Sequence, residues 1–128
     1  HMKKSGGGSV IITSSVAGLQ GFSNMSAYTT SKHATIGVMK VGALEGAAEK
    51  IRVNSIHPSP VENRMMRSLE EGFSPGASEE AKKGFEQMIP LGRYANNEEI
   101  ADLAVFLATD ESKFITGAQY VIDGGLTA

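Results

Sequence analysis

Apolar residues come in two short β-branched runs, one long and nearly unbroken stretch, and one helical stripe. Ser9-Val-Ile-Ile-Thr-Ser14 is continuous, with no polar alternation. Such a run suits a strand covered on both faces, as in a parallel sheet. A buried helix is the alternative, but six residues after three glycines are too few for one. Ile51-Arg-Val-Asn-Ser-Ile-His57 reads as a second strand, stopped at Pro58-Ser-Pro60 because two prolines forbid continued ladder pairing. Between the strands, Ser26 is placed as an N-cap and a helix is expected from Ala27 to Glu49. From Ala34 to Ala48 its only polar residues are Thr35, Lys40 and Glu45. An amphipathic surface helix would show a broad polar face. This one is apolar nearly all round, with Gly37, Gly42 and Gly46 admitting another backbone. One side can face the sheet. The other needs cover from a neighbouring helix or another subunit. Strand, helix and strand make a βαβ unit, for which a right-handed crossover is expected.

Residues 61–95 change character, with methionines, Gly/Pro turns and charged pairs. Two short helices are expected, Asn63 to Glu71 and Ser78 to Met88, with Ser78 as an N-cap and two glutamates complementing the dipole. An insertion of this length after a strand's C-terminal end is typically functional, often a substrate lid. Asn96-Asn-Glu-Glu99 fits a capping box. Ile100, Leu103, Ala104 and Leu107 then fall at i, i+3, i+4 and i+7, a core-facing stripe. Ala118-Gln-Tyr-Val-Ile122 is the last strand, closed by Asp123-Gly-Gly125. The fold class is α/β: a partial parallel sheet of about three strands with about four helices, read as one domain over residues 1–128.

Composition narrows the function. Hydrophobic residues make up 41% of the 128 and charged residues 20%, enough for a core and unlike a disordered chain. A net charge of −2 gives no general attraction to nucleic acid or anionic membrane. There is no cysteine, so disulfides and thiolate metal sites are excluded. His1, His33 and His57 are scattered without metal-ligand spacing. No run approaches the ~20 apolar residues of a membrane span, and a cytoplasmic location is expected. His1-Met2 reads as a cloning remnant with Met2 as initiator, and the glycine-rich lead-in at residues 3–8 is expected to be flexible.

The chemistry-bearing stretch runs from Ser15 to Lys32. Tyr28 and Lys32 are four apart on a helix, so they share a face. A phenol, with a reference pKa near ~10, is a poor base at neutral pH, and a close ammonium favours its ionised form. It then serves as a general acid or base in ketone/alcohol interconversion. Ser15, at the strand's C-terminal end where α/β folds place their sites, can polarise a carbonyl oxygen. A Tyr-x-x-x-Lys pair alone is equally a helical tyrosine with a snorkelling lysine. The combination in a strand–loop–helix context is far more specific.

These residues resemble the C-terminal half of a short-chain dehydrogenase/reductase. Ser15 lies thirteen residues before Tyr28, and Tyr28-Thr-Thr-Ser-Lys32 is the family's Tyr-x-x-x-Lys motif. Arg52-Val-Asn-Ser-Ile-His-Pro-Ser59 matches its Arg-Val-Asn-x-Ile-x-Pro-Gly strand end. Pro90-Leu-Gly-Arg93, Thr116-Gly117 and Asp123-Gly-Gly125 match its later motifs. The resemblance implies a Rossmann-type fold, NAD or NADP as cofactor and a small-molecule alcohol or ketone as substrate. It implies Tyr28 as acid/base, Lys32 as the residue that lowers the tyrosine pKa and holds the nicotinamide ribose, and Ser15 as orienting the substrate oxygen. Pro58, Ser59 and Val61 would pack on the nicotinamide and present backbone groups to its carboxamide. Ser59 replaces the usual glycine, which restricts the turn. Asn63 stands where a threonine often contacts the cofactor, and its amide can hydrogen-bond in its place. Met65, Met66 and Phe73 either line a lid or fill gaps, and His57 reads as structural.

The family's glycine-rich phosphate turn follows a strand and opens a helix. Gly6-Gly-Gly8 instead precedes a strand. Asn24 and Asn54 do not occupy the place of the family's catalytic asparagine, which lies on a helix before the serine strand. The expectation is a chain without the dinucleotide-binding half that binds no cofactor alone, with its first strand an unpaired edge and its long helix uncovered. Self-association would cover both. Two readings stay open: the catalytic half of an NAD(P)-dependent oxidoreductase, or a truncated, non-enzymatic remnant that folds and self-associates.

Overall fold

The computed structural model describes residues 1–128. Three strands, β1 (Gly8–Thr13), β2 (Ile51–Pro58) and β3 (Gln119–Ile122), form one parallel sheet in that order. Val10 sits opposite Val53, and His57 opposite Val121. Four helices accompany it: α1 (Ser26–Gly46), α2 (Arg64–Phe73), α3 (Ser78–Gln87) and α4 (Asn97–Ala108). No helix is long and apolar enough to cross a membrane.

The core lies between α1 and the sheet. Met39 and Ala43 are buried against Val53, with Val10, Ile12, Ile36 and Ile51 packed around them. Of the three glycines of α1, Gly46 is the one that the packing requires: a Cβ there would stand 2.9 Å from the Ile51 carbonyl. Gly37 faces open space. The outer side of α1 is uncovered, with Val38, Val41 and Leu44 exposed by 65%, 53% and 82%. β1 pairs only with β2, so its other edge is free. The uniformly apolar sequence of α1 therefore meets a partner on one side only.

Two polar residues of β2 stitch the C-terminal third onto the sheet. The Arg52 guanidinium donates to the carbonyls of Leu107, Thr109 and Ile115 and to the Ser112 hydroxyl. It satisfies carbonyls that the end of α4 leaves unpaired. Asn54 is fully buried. It donates through Nδ2 to the Ile115 carbonyl and accepts through Oδ1 from the Ala118 N–H. That exchange sets the chain in place to enter β3.

Several local expectations need correction. Ser26 is the first residue of α1 rather than its cap; Met25 takes that place with no side-chain cap. Likewise Ser78 opens α3 and Ala77 is its uncapped N-cap. In both cases the preceding loop fixes where the first turn begins. Asn63 is a working cap, its Oδ1 accepting from the Met66 N–H at 3.1 Å. The Asn96–Glu99 capping box forms in full. The α-helix α1 ends at Gly46, with a 3₁₀ turn over Ala47–Glu49 and a left-handed Lys50 (φ 57°). The lead-in is ordered as a 3₁₀ turn, Met2–Ser5. Gly7 then passes so close to Lys50 that a Cβ would stand 2.6 Å from its carbonyl oxygen. Pro58 still belongs to β2: it lacks an N–H, but the next N–H, of Ser59, reaches the Ile122 carbonyl.

Candidate active site

The C-terminal ends of β1 and β2, the start of α1 and the paired helices α2 and α3 enclose a cleft of about 250 Å³. Ser15, Tyr28, Lys32, Pro58, Ser59, Val61 and Asn63 all line it. Residues from four separate parts of the chain are thus brought to one surface.

Ser15 follows β1 in extended backbone and caps the 3₁₀ turn Val16–Gly18. Its Oγ accepts from the Ala17 N–H at 3.1 Å. This bond uses a lone pair, which leaves the hydroxyl proton free to donate into the cleft. Lys32 sits one turn along α1 from Tyr28, with Nζ 5.5 Å from the centroid of the tyrosine ring. The same ammonium donates to the Thr13 carbonyl at 3.1 Å, and two of its three protons remain available. Tyr28 presents its ring to the cleft. Ser14, buried behind this group, donates from Oγ to the Lys32 carbonyl. A Cβ on Gly18 would collide with that hydroxyl and approach the Lys32 carbonyl to 3.0 Å, so a glycine is needed where the serine loop crosses α1.

His57 holds the serine from beneath. It is fully buried, with Nδ1 3.0 Å from the Ser15 carbonyl and Nε2 2.8 Å from the Ser55 hydroxyl. A carbonyl only accepts, so Nδ1 carries the proton and Nε2 accepts from Ser55. The structural reading of His57 holds, but its partner could not be read from the sequence: Ser15 lies on another strand's end. Burial lowers the His57 pKa from 6.5, against the raising effect of the Ser15 carbonyl. The native state therefore resists a proton that the unfolded chain accepts. Its stabilising contribution is complete above pH 6.5 and is lost as pH falls through the lowered native value. Urea unfolding should show stability declining as pH falls from 7.5 toward 5.5, with a shallower decline in His57→Asn. An unchanged slope in that variant would clear His57 of the effect.

Ser59 is buried and lacks the left-handed conformation that would favour a glycine, so the substitution is accommodated without strain. Val61 is bridged to Ala95 through its neighbours: Ala95 N–H donates to the Pro60 carbonyl, and Glu62 N–H donates to the Ala95 carbonyl. In a parallel bridge of this kind the N–H and C=O of Val61 itself point the other way. No hydrogen bond within the chain engages them. A donor and an acceptor from one residue, nine-tenths buried on the cleft wall, fit a primary amide such as a nicotinamide carboxamide. Asn63 Oδ1 accepts at the α2 cap, and its Nδ2 donor is left for a ligand.

The segment over the cleft is held together by a polar cluster. Tyr94 donates to the buried Glu70 carboxylate at 2.8 Å, and Lys82 lies 5.4 Å from the Tyr94 ring centroid while bonding Glu62 at 2.6 Å. Burial first, then the Glu70 contact, pushes the Tyr94 phenol far above its usual range. Phe73 and Phe85 meet edge to face at 5.8 Å and join α2 to α3. Asn24, left-handed at φ 63°, lies in the loop before α1, and Asn54 is committed to β3, so neither reaches the cleft.

Ser15 after β1 and Tyr28 and Lys32 in the first turns of α1 thus share one cleft at the C-terminal ends of a parallel sheet. A family profile described as Enoyl-(Acyl carrier protein) reductase matches residues 1–127, a span that takes in His1 and Met2. The chain is 46% identical to a trans-4-hydroxycyclohexanecarboxylate dehydrogenase of Sinomonas cyclohexanicum, over 98% of this chain and 43% of that protein. It is 39% identical to a cyclohexanol dehydrogenase of Acinetobacter sp. (strain SE19), over 96% and 45%. The crystal structure of carveol dehydrogenase from Mycobacterium avium in complex with NAD superposes with a TM-score of 0.90 at 30% identity, covering 98% of this chain and 48% of that one. The chain belongs to the short-chain dehydrogenase/reductase family, and it spans about half the length of the relatives it matches.

Proposed function

We propose that this chain is the catalytic, C-terminal half of an NAD(P)-dependent alcohol/ketone oxidoreductase. The observation that carries the reading is the convergence of Ser15, Tyr28 and Lys32 on one cleft whose wall offers the free N–H and C=O of Val61. The bound nicotinamide would supply or accept the hydride at the substrate's carbinol carbon. Tyr28 donates its phenolic proton to the oxygen in reduction and takes it back in oxidation. Lys32 stabilises the charge that develops on the Tyr28 oxygen and turns its remaining protons to the cofactor ribose. Ser15 donates its free hydroxyl proton to the substrate oxygen and fixes its position. Pro58 and Ser59 would pack on the nicotinamide, and Asn63 Nδ2 would add one donor. The names of the relatives support a cyclic secondary alcohol or its ketone. Residues 61–95 act as the substrate lid, and we place the protein in the cytoplasm.

Gly6, Gly7 and Gly8 lead into β1 rather than into a helix, so they make no phosphate turn. Nicotinamide contacts without a pyrophosphate cradle give weak affinity. NADH fluorescence titration of this chain should show no binding in the micromolar range, and turnover should need a polypeptide that supplies the glycine-rich half. Micromolar binding by the chain alone would overturn that view.

The second reading, a non-enzymatic remnant that self-associates, draws on the exposed Val38, Val41 and Leu44 and the free edge of β1. We propose self-association in either case, since an apolar helix face and an open strand edge both invite pairing. Light scattering should give a mass above the monomer, reduced by Leu44→Glu. A monodisperse monomer at high concentration would refute it.

A further inference from the structure

We propose that the cleft selects an uncharged, apolar ketone or secondary alcohol and rejects its carboxylate-bearing counterparts. The proposal rests on the assignment of this cleft as the substrate site. The helices over it contribute only apolar side chains: Met65, Met66, Leu69 and Phe73 from α2, then Phe85 and Met88 from α3 and its end. Phe22 and Met25 from the loop before α1 face the same space. Lys32 is the one charged side chain on the lining, and it is bound to Thr13 beside Tyr28. Of the neighbouring cations, Lys82 and Arg67 are engaged on Glu62 and Arg93 on Glu99, while Arg64 is exposed at the first turn of α2 and does not line the cleft.

Apart from Ser59, Val61 and Asn63 on the side assigned to the nicotinamide, the polar groups of the cleft gather at Ser15, Tyr28 and Lys32, where a carbonyl oxygen would lie. The opposite walls hold no partner for a second charge. A carboxylate pressed on thioethers and phenyl rings loses its water and receives nothing in return. Alkyl bulk carries no such cost. The four methionines, unbranched and polarisable, can re-pack around it. Selection in this site is therefore by charge rather than by length.

The six methionines provide the reading. Four line the cleft, while Met2 and Met39 lie outside it and serve as internal controls. The full chain, labelled at the methionine methyls, is titrated by NMR with cyclohexanone, 4-isopropylcyclohexanone and 4-oxocyclohexanecarboxylate. Both neutral ketones should move the methyls of Met25, Met65, Met66 and Met88 and leave Met2 and Met39 in place. The carboxylate should bind at least about ten-fold more weakly than the isopropyl compound, whose branched substituent has the same number of heavy atoms. Met65→Lys, at a half-exposed position that tolerates a long side chain, should bring the carboxylate to within about three-fold of the neutral ketone. Equal or tighter binding of the carboxylate by the unmodified chain would overturn the proposal. So would shifts outside the four cleft methyls, no response to either neutral ketone, or a Met65→Lys variant with unchanged preference. Tyr28→Phe separates this from the catalytic assignment: it should leave the order of the three ligands intact. A preserved order with turnover indifferent to Tyr28 would remove the catalytic reading alone. A reversed order with turnover still dependent on Tyr28 would remove only the selectivity.

Discussion

Tyr28→Phe should lower ketone-dependent NADH oxidation by roughly 10²–10⁴-fold when this chain is assayed with a partner polypeptide supplying the glycine-rich half. The substitution removes one oxygen from a ring that lines the cleft and leaves the helix intact. It takes away the group assigned to exchange a proton with the substrate oxygen. Ser15 keeps its hydroxyl, so substrate can still be oriented, and the loss should fall on kcat more than on KM. Lys32 keeps its bond to the Thr13 carbonyl, which holds the remaining geometry. Far-UV circular dichroism and the melting curve should be unchanged. A variant within a few-fold of the parent rate would end the assignment of Tyr28 as acid/base, whatever the cleft binds.

The largest effect on stability is expected at Met39. It is fully buried where α1 meets Val53 and Ala43, and few residues share that burden: 20 of 128 are buried. Truncating a buried methionine to alanine costs about 2–5 kcal/mol through lost transfer energy and the cavity left behind. A domain has roughly 5–15 kcal/mol to lose, and a core this small places the chain near the lower end. Met39→Ala should therefore bring the unfolding midpoint in urea close to zero. Met39→Leu conserves volume and should cost less than about 1.5 kcal/mol. Equal midpoints for Met39→Ala and the parent would show that α1 is held by its outer face, through contacts with another copy, rather than by this core.

Much of the fold was legible because it is written in short stretches. The β-branched run of β1, the proline stop after β2 and the Asn96–Glu99 box depend on residues within a few positions of one another. The site residues were legible for a different reason: Ser15, Tyr28 and Lys32 share one strand–loop–helix, and family motifs carried Pro58 to Asn63. What could not be read were partners far away in the chain. Arg52 and Asn54 stood out as a motif, yet their role emerges only from bonds to Leu107, Ser112, Ile115 and Ala118. The grip of His57 on Ser15 spans two strand ends. The caps at Met25 and Ala77 were misplaced because nearby serines have the better chemistry, while the loops decide where the turns start. Val61 was reached through the family resemblance alone, since its value lies in backbone groups that every residue possesses.

The thioethers of the cleft have one more consequence. Met65 and Met88 are about half exposed at its wall, open to peroxide in a way that the buried Met39 is not. Oxidation to the sulfoxide would place a strong dipole on a surface that otherwise repels polar groups, and reductases can reverse it. The affinity of this cleft for oily ligands therefore depends on the oxidative history of the molecule as well as on its sequence.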